Sequence, residues 1–202
     1  MAEPSRYDVD PKTAGLFYDI LENKLGITDQ ETLEDTETIL LSDAYSYFFD
    51  LLNRKELKFS LDLILEIHRY YLEPLYKWAG QLRIINISKD GTLFCPAINI
   101  KTSLKELDKV IKENIPTSKD SPETLAKKLA IIHNEYNAIH PFREGNGRTI
   151  RLFLDLLSGS VGYQPIEYEK ISHDDYISAC IAGMNGDYKQ MVDLFQKNIK
   201  KN

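Results

Sequence analysis

Residues 121–157 read SPETLAKKLAIIHNEYNAIHPFREGNGRTIRLFLDLL, and the way this stretch divides decides the fold. Ser121 before Pro122 is a helix start, because a serine oxygen can accept an early backbone N–H and proline gives up nothing at the first helical position. Leu125, Leu129, Ile132, Tyr136 and Ile139 then recur at helical steps as one apolar stripe that ends at His140. Gly145-Asn146-Gly147 breaks the pattern. A second helix follows, with Ile150, Phe153, Leu154 and Leu157 on one face and Arg148, Arg151 and Asp155 on the other. Two core helices joined by a glycine loop predict a mainly α protein whose chemistry sits in that loop.

Working outward, residues 1–12 are polar, hold Pro4 and Pro11 and lack periodicity, so they read as a tail before a single domain of residues 13–202. From Thr13, the spacing of Leu16, Phe17, Ile20 and Leu21 predicts a helix that stops at Gly26. Thr28 or Asp29 caps a longer helix through Leu33, Ile39, Leu40, Ala44, Tyr47 and Phe48. Its acidic start, Glu31, Glu34, Asp35 and Glu37, suits a helix N-terminus and predicts a solvated face with no functional role. Ser60 is expected to cap a core helix in which His68 is packed and hydrogen-bonded, Pro74 ends it, and Trp78 joins the core. Leu82–Ser88 and Thr92–Cys95 around Asp90-Gly91 predict a β-hairpin. A hairpin alone is marginal, so it is either a strap on the helices or an edge that takes an extended peptide as an added strand. Further helices open at Asn99 or Thr102 and at Ser172, and a last one runs through Met191, Val192, Leu194 and Phe195. His133 and His173 read as a structural and an exposed histidine, while Glu135 and Asn137 lie close enough to orient His140.

With 202 residues the chain can bury one sizeable core, and its net charge of -6 argues against a nucleic-acid partner. No apolar run reaches membrane-spanning length, and the first residues lack the apolar middle of a secretion signal. These features predict a cytoplasmic protein with no membrane partner. Cys95 and Cys180 have no metal-ligand spacing and read as ordinary buried thiols.

The loop itself combines groups of distinct chemistry. His140 can move a proton near neutral pH, and Glu144 can hold a hard cation such as magnesium. The Gly145-Asn146-Gly147 backbone can approach an anion at the positive end of the following helix. Arg148 and Arg151, one turn apart, can hold phosphate oxygens. Together they ask for a phosphate-bearing ligand with magnesium, and for a substrate proton that His140 removes. A P-loop sequence is absent, as is His-Glu-x-x-His, and one histidine with one glutamate falls short of the ligands a hydrolytic zinc needs.

The run from His140 to Arg151 resembles the complete signature of the Fic (filamentation induced by cAMP) family, His-x-Phe-x-Asp/Glu-Gly-Asn-Gly-Arg-x-x-Arg. Lys77-Trp78-Ala79-Gly80-Gln81-Leu82-Arg83, the hairpin ending in Phe94-Cys95, and Asn23-Lys24-Leu25-Gly26 with Thr28-Asp29 are similar to bacterial Fic proteins of the toxin type. The resemblance implies a helical domain with a β-hairpin flap that transfers AMP from ATP to a Ser, Thr or Tyr hydroxyl of a target protein. It implies that His140 is the general base, that Glu144 binds Mg2+, and that Phe142 anchors the loop. Gly145, Asn146 and Gly147, with the Asn146 side chain, would form the anion hole, while Arg148 and Arg151 would hold the β- and γ-phosphates. Lys89, Asp90, Gly91 and Thr92 would close over the nucleotide, and Phe94 would clamp the target.

Many such proteins carry an inhibitory Ser/Thr-x-x-x-Glu-Gly/Asn helix whose glutamate pairs with the last motif arginine. Glutamate precedes Gly or Asn at Glu22, Glu113 and Glu144, but Tyr18, Lys109 and His140 stand four residues before them. With no such helix, a small antitoxin in trans is the implied inhibitor. The same scaffold would also suit transfer of another phospho-group, and a non-catalytic nucleotide-binding module would not need His140.

Overall fold

A computed structural model of the chain describes residues 16–17, 20–89 and 92–202. The proposed tail of residues 1–12, the helix start at Thr13 and the Asp90-Gly91 turn lie outside them. The chain opens with a pair of two-residue strands, β1 (Leu16–Phe17) and β2 (Ile20–Leu21), where the spacing predicts a helix. The register pairs Leu16 with Leu21 and Phe17 with Ile20. Apolar residues at positions 16, 17, 20 and 21 satisfy a tight antiparallel pair as well as a helical turn, and so short a run cannot separate the two.

Helix α1 (Gln30–Asn53) starts at Asp29, whose carboxylate accepts the Thr32 N–H at 2.7 Å. Helix α2 (Leu61–Leu72) follows Ser60, but the serine side chain makes no cap bond; the Asp108 carboxylate accepts the Leu61 N–H instead, at 3.2 Å. Pro74 comes just after α2, and Gly80 closes the following turns with φ +74°. Trp78 there is half-buried and stacks on Tyr76 with ring centroids 4.4 Å apart.

The flap is much shorter than the predicted hairpin, with only β3 (Ser88–Lys89) pairing antiparallel with β4 (Thr92–Leu93). Residues 82–87 are held differently. The buried Arg83 guanidinium donates to the carbonyls of Ile85, Cys95, Ile139 and His140, and the Arg83 N–H donates to Pro141 O at 2.9 Å. These bonds fasten the base of the flap to the loop, in place of a strand ladder.

A 3-10 turn leads into α3 (Ile100–Glu113), and α4 (Pro122–Ile139) begins where Ser121 Oγ accepts the Thr124 N–H at 3.1 Å. Helices α5 (Asn146–Ser160), α6 (His173–Met184) and α7 (Lys189–Asn198) complete the chain. Helix α4 packs on α3, α5, α6 and α7, while α5 also meets α1 and α2. The core is therefore built around the two helices on either side of the glycine loop. Leu152, Leu154, Leu156, Leu157 and Asp155 of α5 are all buried, so the helix is enclosed on the Asp155 side as well as on its apolar face. Cys180 is buried, whereas Cys95 is only half-buried.

Candidate functional site

Helix α4 ends when His140 turns left-handed at φ +49°, its N–H still bonded to Tyr136 O. That turn points the chain back under α2. Phe142 is fully buried and stacks on His68 at 3.6 Å between centroids. The Gly80 N–H donates to His68 Nδ1 at 2.9 Å, so Nε2 carries the proton and donates to the Glu144 carbonyl at 2.9 Å. Burial holds this histidine neutral, with a pKa of about 3. His68 is thus the packed, hydrogen-bonded residue that the sequence predicts.

The loop is closed from within. Asn146 Oδ1 accepts the Phe142 N–H at 2.9 Å and its Nδ2 donates to the Phe142 carbonyl at 2.8 Å. The amide predicted for an anion hole thus also shapes the loop, with one of the two Nδ2 N–H groups spent on Phe142. Gly145, at φ +81°, caps α5, and its carbonyl accepts from Tyr71, Thr149 Oγ1 and the Thr149 N–H. Thr149 makes the first intrahelical bond, so the N–H groups of Asn146, Gly147 and Arg148 lie ahead of it at the positive helix end.

These groups line a cavity of about 250 Å³ that also takes in His140, Glu144, Arg151 and, from the flap, Lys89, Thr92 and Phe94. Its far wall is α6, with Tyr176, Ile177, Cys180 and Ile181. Asp90 and Gly91 fall outside the described residues. Sequence reasoning missed the α6 wall, because an apolar stripe there reads as core.

His140 is buried, and the Phe94 ring stacks on it at 3.9 Å. The hydrogen on Nδ1 points to the Asn137 carbonyl at 3.2 Å, which leaves the lone pair on Nε2. Burial, above all, lowers its pKa to about 3, with the charges of Arg83 and Lys89 acting in the same direction. Asn137 therefore orients His140, through its backbone; Glu135 does not, and takes the Tyr188 hydroxyl instead. His133 lines the cavity as well, with its Nε2 2.7 Å from the Tyr176 hydroxyl.

The arginines differ in their surroundings. Arg151 lies over the Tyr168 ring, 5.6 Å from its centroid. Arg148 is held by Glu37 of α1, whose carboxylate accepts from Nη1, and its Nη2 lies 3.6 Å from Glu144. Glu37 is 4 % exposed, so the expectation of a solvated acidic face fails at this residue. In α1, Leu33, Glu37, Ala44 and Phe48 are the buried positions, and position 37 falls on that stripe.

Among the described residues no cluster of three or more His, Cys, Asp or Glu side chains could hold a metal. Glu144, the one cavity carboxylate among the described residues, with its Oε1 also accepting the Gly145 N–H at 2.8 Å, suits magnesium, which binds through few carboxylates plus waters and substrate phosphates. It does not suit zinc, which takes three or four protein ligands.

A profile of the Fic/DOC family matches residues 58–158. The chain is 33% identical over 193 residues to protein adenylyltransferase VbhT of Bartonella schoenbuchensis, covering 94% of this chain and 38% of that protein. It is 32% identical over 182 residues to probable protein adenylyltransferase y4lH of Sinorhizobium fredii, covering 89% of this chain and 91% of the relative. The chain thus spans well under half of the first relative and nearly all of the second. The crystal structure of BepC, a VirB-translocated effector protein of Bartonella tribocorum with bound AMPPNP, matches with a TM-score of 0.72 at 26% identity, over 90% of this chain and 93% of that one. By the family profile and by its 32% identity to y4lH over 89% of its own length, the chain belongs to the Fic/DOC family.

Proposed function

We propose that the chain transfers AMP from ATP to a Ser, Thr or Tyr hydroxyl of a target protein and releases pyrophosphate. The observation that carries this reading is one cavity holding a neutral histidine, a helix N-terminus and two arginines. A pure nucleotide binder has no use for the histidine. The similar proteins named adenylyltransferases, and the AMPPNP held by BepC, support ATP as the co-substrate.

In this reading His140 Nε2 takes the proton of the target hydroxyl. The oxygen bonds to the α-phosphorus, the bond from that phosphorus to the bridging oxygen breaks, and its electron pair leaves on pyrophosphate. Phosphoryl chemistry of this kind rests mostly on positioning and charge stabilisation. The N–H groups at the start of α5 would hold the phosphate oxygens, Arg148 the β-phosphate and Arg151 the γ-phosphate. Glu144 would hold magnesium, whose charge, when bound, offsets that of the phosphates. Lys89 and Thr92 would close over the nucleotide, and Phe94 would guide the target segment to His140.

The test is transfer from ATP labelled on its α-phosphate, with the adduct weighed by mass spectrometry. Positioned proton transfer is worth ~100- to 10,000-fold, so His140→Ala should lose transfer by that factor while still binding ATP. Full activity of the variant would sink the mechanism, and an adduct of different mass would reassign the group transferred.

For control, we infer a small antitoxin acting in trans, with the cytoplasm as the place of action. No ion pair engages Arg151 among the described residues, and an incoming glutamate would find that guanidinium over Tyr168. Activity of the chain alone, abolished when the partner is added, is the expected result. A chain that is silent alone and released by removing one of its own glutamates would refute it.

A further inference from the structure

We propose that Glu37 is a positioning residue for Arg148, holding the guanidinium so that its other edge meets the phosphate next to the one attacked. This rests on the adenylyl-transfer reading and extends it to a residue outside the motif.

Glu37 reaches Arg148 from α1, 111 residues away in sequence, and is itself fixed. One carboxylate oxygen accepts from Arg148 Nη1, and the other accepts from the Tyr76 hydroxyl at 2.5 Å. Tyr76 is fully buried and stacked on Trp78, so the carboxylate has little freedom to turn. Glu37 does not line the cavity, whereas Arg148 and Glu144 do. It therefore stands behind the arginine and takes up none of the ligand's volume. Arg148 Nη2, the nitrogen that Glu37 does not hold, is buried and makes no hydrogen bond among the described residues; it lies 3.6 Å from Glu144, which lines the cavity. A buried guanidinium N–H without a partner is costly, and a phosphate oxygen arriving at Nη2 would relieve it. Burial opposes the Arg148 charge, and Tyr71, Glu37 and Glu144 outweigh it, so the group stays cationic. The Tyr71 ring, 5.8 Å away, supports its face. A guanidinium fixed through Nη1, with an unpartnered Nη2 beside a cavity-lining carboxylate, is the geometry of an oriented phosphate clamp.

The experiment compares ADP and AMP binding to the full chain by calorimetry, because only ADP carries the phosphate that Arg148 would hold. Glu37→Gln should weaken ADP about 10-fold, the size of one charge-assisted hydrogen bond, and leave AMP unchanged. Tyr76→Phe, which removes only the hydroxyl behind Glu37, should shift ADP in the same direction by less. In an Arg148→Ala background Glu37→Gln should have no further effect on ADP. Equal losses for ADP and AMP would reduce Glu37 to a structural role, and tighter ADP binding would make it a competitor of the nucleotide. Either result overturns the proposal. Failure of the transfer reading is separate: it shows as an unlabelled target with the wild-type chain, and the ADP-to-AMP comparison needs no turnover.

Discussion

Gly145 shows how closely the loop is fitted to the helix beneath it. A Cβ built there would lie 2.4 Å from the Tyr71 hydroxyl and 2.9 Å from Leu72 Cδ1, at a φ of +81° that side-chain-bearing residues rarely adopt. Backbone strain of this kind costs ~1–3 kcal/mol, and here the clash with Tyr71 adds to it. Gly145→Ala should therefore lower stability by about 2 kcal/mol or more in urea melts and weaken ATP binding, because the N–H groups that follow are displaced. By contrast, Gly147 has open space around its Cβ direction, so Gly147→Ala should fold normally. At this scale the sequence was most informative where residue type restricts chemistry. His140, Glu144, the glycines and both arginines converge on one cavity as their types require. Glu37 was illegible, because an acidic residue near a helix start is usually solvated, and its partner Arg148 lies far off in sequence.

The flap is the element whose sequence was most misleading, and also the one whose structure makes the clearest statement about His140. Branched residues from Leu82 to Ile87 have strand propensity, yet Arg83 binds carbonyls on both sides of the flap base and on the end of α4. A long-range side-chain network of this kind overrides local propensity. Downstream, Phe94 covers the His140 ring and contributes to the burial that keeps its pKa near 3. Removing the ring would let water reach the imidazole and return its pKa toward the ordinary 6.5. Phe94→Ala is thus expected to raise the His140 pKa by more than one unit, read by NMR titration of its ring nitrogens. If transfer is measured in parallel, the wild type should keep its activity as pH falls through 6.5, because the base stays neutral there, whereas the variant should lose activity in that range. A His140 titration unmoved by the substitution would mean that the burial comes from the helices alone.

Across the whole molecule, the buried histidines and one buried carboxylate pull stability in opposite directions as pH changes. His68, His133 and His140 have pKa values lowered by burial to about 3, 4 and 3. Their unfolded forms take up protons near 6.5 while the folded forms do not, so their contribution is complete above 6.5 and is lost as pH falls toward 3 or 4. Asp155 behaves oppositely. Burial is the main cause of a pKa raised to about 7, against the pull of the Ile166 N–H, the Tyr45 hydroxyl and Arg151. Its folded form holds a proton that the unfolded form has lost above 3.8, so its contribution is complete below 3.8 and is lost as pH rises through 7. Both hydrogen bonds to Asp155, from Tyr45 at 2.8 Å and from Ile166 N at 2.8 Å, go to acceptor oxygens. Asparagine can keep both contacts, its oxygen accepting the Ile166 N–H and its amide N–H donating to the Tyr45 oxygen, so Asp155→Asn should change stability little at pH 4, where wild-type Asp155 is neutral. From pH 4 to 7 the wild type gives up stability at this site and the variant does not, so the variant should gain on it steadily and then level off. Urea melts of both proteins at half-unit steps of pH would show this as a difference curve rising toward 7, and a flat curve would mean that Asp155 is charged throughout in the folded chain.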